Sequence, residues 1–316
     1  MPVMRTLLFC VPNRGADQRI DIVMQPDLAI KNGRVITAAD SFHADVGILN
    51  GKIALIGNNL QARQIIDAAE KYVTPGAVDP HVHLQMPQGE FTSSDDFESG
   101  SIAAVCGGTT TIIDFVEPEE NEPLLEALAA RQAQANGRAV IDYGLHMTLT
   151  NANEATLAQI PSVIQAGSTS FKAYTIYDGF SLEDDEMLKV LQATNAAEGM
   201  LIVHAENKHI INNLQMKYVS EGNTLRSVEF LSITAVSEGE AIQRVLALAE
   251  TAKSAVYIVH VSTKMGAQAI RRAQQRGQIV YGETCPQYLL LTDKEYDRTN
   301  GDGAKYICSP PLRPAD

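Results

Sequence analysis

From Gly76 to Cys285 the chain passes through seven apolar, strand-like stretches: GAVDPHVHL, TTTIIDFV, AVIDYGLHMTL, STSFKAYTI, MLIVHAE, AVYIVHVS and QIVYGETC. Between them lie segments such as EPLLEALAARQAQA, EDDEMLKVLQATNAAEG and EGEAIQRVLALAETA, whose apolar residues recur every three or four positions, the spacing of one helix face. A strand, a helix and a second strand in succession pack as a parallel βαβ unit. Seven such strands are one short of a closed (β/α)8 TIM-like barrel. A doubly wound open sheet shares this rhythm, but no G-x-G-x-x-G follows the first strand, so an α/β barrel is the expected fold class.

Residues 27–73 read differently. DLAIKNGRVIT and DVGILNGKIALIG alternate apolar and polar residues around Asn32-Gly33 and Asn50-Gly51, pairs that favour tight hairpin turns because both positions tolerate positive φ. This predicts a small N-terminal β-sandwich module, with the barrel occupying 74–316. Residues 1–26 form an extension of unassigned role, since their apolar run is short and lacks a small-residue cleavage site.

A formal charge of −13 argues against partners that present phosphate backbones or anionic lipid, which need concentrated Lys and Arg. No apolar run is long enough to span a bilayer. Cys10, Cys106, Cys285 and Cys308 lie far apart with no C-x-x-C pair, which indicates neither a disulfide framework nor a thiolate zinc site and fits a reducing cytoplasm.

His81 and His83 stand two apart in DPHVHL, and residues two apart on a strand share a face. Lys172, His204 and His260 each fall near the carboxyl end of a predicted strand, and in a parallel barrel those ends converge on one mouth. A single strand-end histidine is more often a hydrogen-bonded packing residue than a ligand. Four at one mouth are a metal site in chemical terms, still needing an oxygen ligand. Lys172 reads either as a strand-end lysine reaching for water or as a desolvated amine of depressed pKa. Nothing around His43, His146 or His209 marks them for the same role.

In order along the chain, DPHVHL, DDFESGSIAAVCGGTTTIIDF, SFKAYTIYDG, HAEN, HVS, ETCPQYL and SPPLR resemble the hydantoinase and dihydropyrimidinase branch of the cyclic amidohydrolases. The similarity runs from about Asp27 onward. It implies that Lys172 is carboxylated by CO2 and that the carbamate bridges two divalent metals, commonly zinc. His81 and His83 would bind the more buried ion, and His204 and His260 the more exposed one. A metal-bridging hydroxide would then open a hydantoin or dihydropyrimidine ring to an N-carbamoyl amino acid. By the same resemblance Tyr177 stabilises the oxyanion, Ser309 contacts the ring amide through its backbone, and the protein is a homotetramer. Allantoinase or dihydroorotase activity, and an inactive scaffold, are the alternative readings; SFKAYTIY around Tyr177 argues against the first two.

The resemblance also places an aspartate of an Asp-His pair at the end of an eighth strand. The sequence is read as truncated before that strand, and Asp316 is not assigned the role.

Overall fold

The computed structural model describes residues 25–88, 91–222 and 233–315. Residues 1–24 of the extension, and Asp316, lie outside them. The chain divides after Pro75 into two compact units.

In the first unit, a four-stranded sheet has the order β5-β4-β1-β6, built from β1 (Leu28–Lys31), β4 (Asp45–Leu49), β5 (Lys52–Gly57) and β6 (Gln64–Asp67). A three-stranded sheet runs β3-β2-β7, from β2 (Arg34–Ile36), β3 (Ser41–His43) and β7 (Tyr72–Val73). The two Asn-Gly pairs do different work. Asn50 (φ 51) and Gly51 (φ 72) close the β4–β5 hairpin, where Leu49 faces Lys52. At Asn32-Gly33 the expected hairpin does not form: β1 and β2 belong to different sheets, and the pair carries the chain from one to the other. Gly33 is needed there for space, because a Cβ would stand 2.5 Å from Val73 Cγ2.

The second unit is a seven-stranded parallel curled sheet with helices, the architecture of a TIM-like barrel. Its strands are β8 (Ala77–Val82), β11 (Thr109–Val116), β12 (Asp142–Thr148), β13 (Ser170–Tyr174), β14 (Met200–His204), β15 (Val256–Ile258) and β16 (Val280–Gly282), hydrogen-bonded in chain order. A two-stranded hairpin, β9 (Pro87–Gln88) with β10 (Phe91–Thr92), follows the first. Residues 171–174 and 201–204 are buried on both faces, as parallel strands covered by helices must be.

The helices present apolar stripes to the sheet. In Ala235–Ala252 the buried positions Ala241, Ile242, Val245, Leu246 and Ala249 recur at three and four, and Thr234 caps the first turn by accepting from the Ser237 N–H. On the inner side Phe115, Ile202 and Val259 pack together. Arg131, from helix Leu124–Ala135, reaches under the mouth. Its Nη2 donates to Leu84 O and to Asp114 Oδ1, each at 2.5 Å, while the Leu84 N–H donates to Asp114 Oδ2. That clamp fixes the turn that leaves His83. Among the described residues no helix is long and apolar enough to cross a membrane.

Candidate active site

Because the strands run parallel, their carboxyl ends open on one side, and a cavity of about 750 Å³ lies there. His81, His83, Lys172, Tyr177, His204, His260 and Ser309 all line it. The four imidazoles form an arc rather than a knot. Ring centroids are 5.3 Å apart from His83 to His81, 5.2 Å from His81 to His260 and 4.4 Å from His260 to His204. Among the described residues no three His, Cys, Asp or Glu side chains converge as a ready ligand set.

Lys172 pairs with Ile202 in the β13–β14 ladder and points inward, only 1% exposed. Its Nζ lies 5.0 Å from the ring centres of both Phe115 and Tyr174. Burial among rings disfavours the ammonium form and pulls the amine down to about 7, against nearby Glu283 and Glu117, which favour the charge. Lys172 is therefore the desolvated amine, and the reading of a lysine reaching for water is corrected.

Three of the histidines are kept neutral by the same cause. Burial holds His83 down to about 3 and places His81 and His260 below the ordinary value, with neighbouring cations adding to the effect. His81 Nδ1 is 2.5 Å from Glu283 Oε1, and His204 Nε2 is 2.8 Å from Glu206 Oε2. A neutral imidazole has one donor and one acceptor nitrogen, so a carboxylate on one side leaves the other nitrogen's lone pair for a ligand. His83 Nδ1 is buried without a hydrogen-bond partner among the described residues. His260 sits at φ 37, a conformation uncommon outside glycine, and its N–H donates to Glu283 Oε1 at 3.3 Å.

On the far wall Tyr177, itself at φ 75, places its hydroxyl 2.6 Å from Ser309 Oγ. Met86 and Pro87 from the loop after the first strand, and Asp178 and Phe180 from the loop after the fourth, also line it.

A model of the amidohydrolase family matches residues 72–285. The chain belongs to the amidohydrolase family. Members of this family generally use a binuclear metal centre. The D-hydantoinase of Geobacillus stearothermophilus is 44% identical over 288 residues, covering 90% of this amidohydrolase and 61% of the relative. A crystal structure of D-hydantoinase superposes with a TM-score of 0.87 at 43% identity, covering 90% of this chain and 63% of that one. The dihydropyrimidinase from Brevibacillus agri also gives 0.87, at 40% identity over the same shares. The chain thus spans 61% of the length of the first of these relatives.

Sequence reasoning missed the carboxylates behind the histidines. Glu206 follows His204 by two and Glu283 follows the last strand, so strand-end position was the available signal. The pocket-lining Glu117, directly after β11, shared that signal, whereas Glu238 and Arg313 carried none. Of the three unmarked histidines, His43 belongs to the first unit, His209 is not among the cavity-lining residues, and His146 is buried beneath the cavity. Both its nitrogens are engaged, Nδ1 with Ser170 Oγ at 2.5 Å and Nε2 with Pro80 O at 2.9 Å, which makes it a strut between strands.

Proposed function

We propose that this amidohydrolase opens a cyclic amide, a hydantoin or a dihydropyrimidine, to the N-carbamoyl amino acid. The observation that carries the reading is the buried, desolvated Lys172 on one cavity with four imidazoles.

The residues fit a pair of divalent cations. His83 Nδ1 is an orphaned buried nitrogen, and the carboxylates on His81 and His204 leave each ring a second nitrogen to offer. The arc suits two ions: His81 and His83 would hold one, His204 and His260 the other. The neutral fraction of the Lys172 amine can add to CO2, forming an N–C bond and releasing a proton, and the carbamate would supply the missing oxygen ligands to both. Bound there, two zinc ions would polarise the ring carbonyl and bring a water's pKa toward neutrality.

The chain's own groups do the rest. Tyr177 donates its phenolic hydrogen to the oxygen that gains charge as the carbonyl becomes tetrahedral. Its hydroxyl already meets Ser309 Oγ, so the two residues stand side by side on the cavity wall. Ser309 presents its backbone to the ring amide and fixes which bond faces attack. Met86, Pro87 and Phe180 bound the space for the exocyclic substituent.

A homotetramer in the cytoplasm belongs to the same proposal. It is supported by the family resemblance and by Cys106, Cys285 and Cys308, which are free thiols. The test is a substrate panel. Turnover of 5-substituted hydantoins or dihydrouracil is expected; turnover of allantoin or dihydroorotate alone would overturn the assignment.

A further inference from the structure

Behind His204 and His260 lies a buried polar knot that the proposed chemistry does not use. Glu206 is fully buried, and among the described residues its Oε1 has no hydrogen-bond partner. Arg313 Nη2 lies 3.8 Å from it. Glu238, 2% exposed on helix Ala235–Ala252, faces the same guanidinium at 3.4 Å. Its carboxylate accepts the backbone N–H groups of Ser262 at 3.2 Å and Thr263 at 3.0 Å, and the Thr263 hydroxyl at 2.7 Å. These residues stand two and three positions after His260. Thr263 in turn caps helix Lys264–Gln275 by accepting the Gly266 N–H at 3.0 Å. Arg313 completes the knot: Nε donates to Ser262 Oγ at 3.0 Å and Nη1 to Ile233 O at 2.5 Å.

Two carboxylates taken out of water are costly unless paired, and breaking such a pairing leaves an uncompensated charge. One planar guanidinium serves both. Its fork also fixes the angle between what it touches, which an ammonium on a flexible stem would not. One carboxylate orients the His204 ring through a 2.8 Å contact to Nε2, and the other pins the turn that carries His260.

We infer that Arg313 is a positioning residue that locks His204 and His260 into one frame and ties Ser309, four positions before it, to that frame. The inference rests on the proposed metal-dependent reading for its consequence, since the two imidazoles so coupled are the pair assigned to a single ion. It does not depend on that reading for its geometry.

The experiment uses the whole chain, metal-free and labelled with ¹⁵N in histidine. In Arg313→Lys the ring resonances of both His204 and His260 should move while those of His146, held by Pro80 and Ser170, stay in place. Affinity for Co²⁺ should fall on the order of 10–100-fold, the usual cost of losing a group that orients a ligand. Ser262→Ala, which removes the hydroxyl that accepts from Arg313 Nε and donates to Glu238 Oε2, should move His260 alone, and it decides the matter if Arg313→Lys does not fold. Lowered stability with both rings and the Co²⁺ affinity unchanged would overturn the inference. Should the unaltered chain take up no Co²⁺, the proposed function fails, and the ring resonances alone judge Arg313.

Discussion

Nδ1 of His81, on the first strand of the parallel sheet, lies 2.5 Å from Oε1 of Glu283, just past the last strand and 202 positions along the chain. β8 and β16 occupy opposite ends of the sheet order, so this side-chain contact, not a backbone ladder, draws their carboxyl ends together. Glu283 also accepts the His260 N–H and the Tyr257 hydroxyl, the latter at 2.9 Å. Burial pushes its carboxyl up, but these donors outweigh burial and hold it below the ordinary value. Glu283→Gln halves the acceptor capacity and turns a donor toward one of these partners. Stability should fall by about 1–3 kcal/mol and divalent-metal affinity by roughly 10–100-fold, read by urea unfolding and chelator competition. Equal values in both would remove Glu283 from its role.

Tyr177→Phe deletes one hydroxyl while keeping the ring beside His204, at a centroid distance of 5.1 Å. If the phenol stabilises charge only in the transition state, kcat should fall on the order of 10²–10³-fold with KM little changed. Steady-state kinetics on a ring substrate checks this. A rise in KM at constant kcat would reassign the tyrosine to binding alone.

Acid should weaken the metal-free fold through buried histidines. Burial holds His83 down to about 3 and His146 to about 4, so both are neutral when folded, while the unfolded chain protonates them below about 6.5. The unfolded state therefore binds more protons as pH drops from 6.5 toward those values, and stability falls with it. Each histidine contributes up to about 1.4 kcal/mol per pH unit across that window. Urea midpoints should decline from pH 6.5 to 5, less steeply in His146→Gln. A midpoint that holds level down to pH 5 would contradict the burial argument.

Periodicity exposes the barrel because each strand and helix must bury a face, and the His81-Val82-His83 pattern exposes a shared face because strand side chains alternate. Lys172, His204 and His260 were legible for a topological reason: parallel strands carry their ends to one mouth. Glu206 and Glu283 were not, because a lone polar residue after a strand looks the same whether it faces water or a partner far along the chain, and Glu238 on a helix and Arg313 in a loop carry no positional mark at all. His146 was misleading in the opposite sense. Its surroundings in sequence are unremarkable, and only the approach of Pro80 and Ser170 makes it a buried strut. Asn32-Gly33 shows that a turn signal specifies backbone conformation, whereas tertiary packing decides whether the flanking strands pair.

The central claim is that Lys172 and four imidazoles hold two cations. Metal content per chain, measured after loading with zinc in the presence and absence of bicarbonate, tests it most directly. Two ions per chain with bicarbonate, fewer without it, and loss of binuclear occupancy in Lys172→Ala are the predicted results. Zinc content that is indifferent both to bicarbonate and to removal of the Lys172 amine would contradict the account.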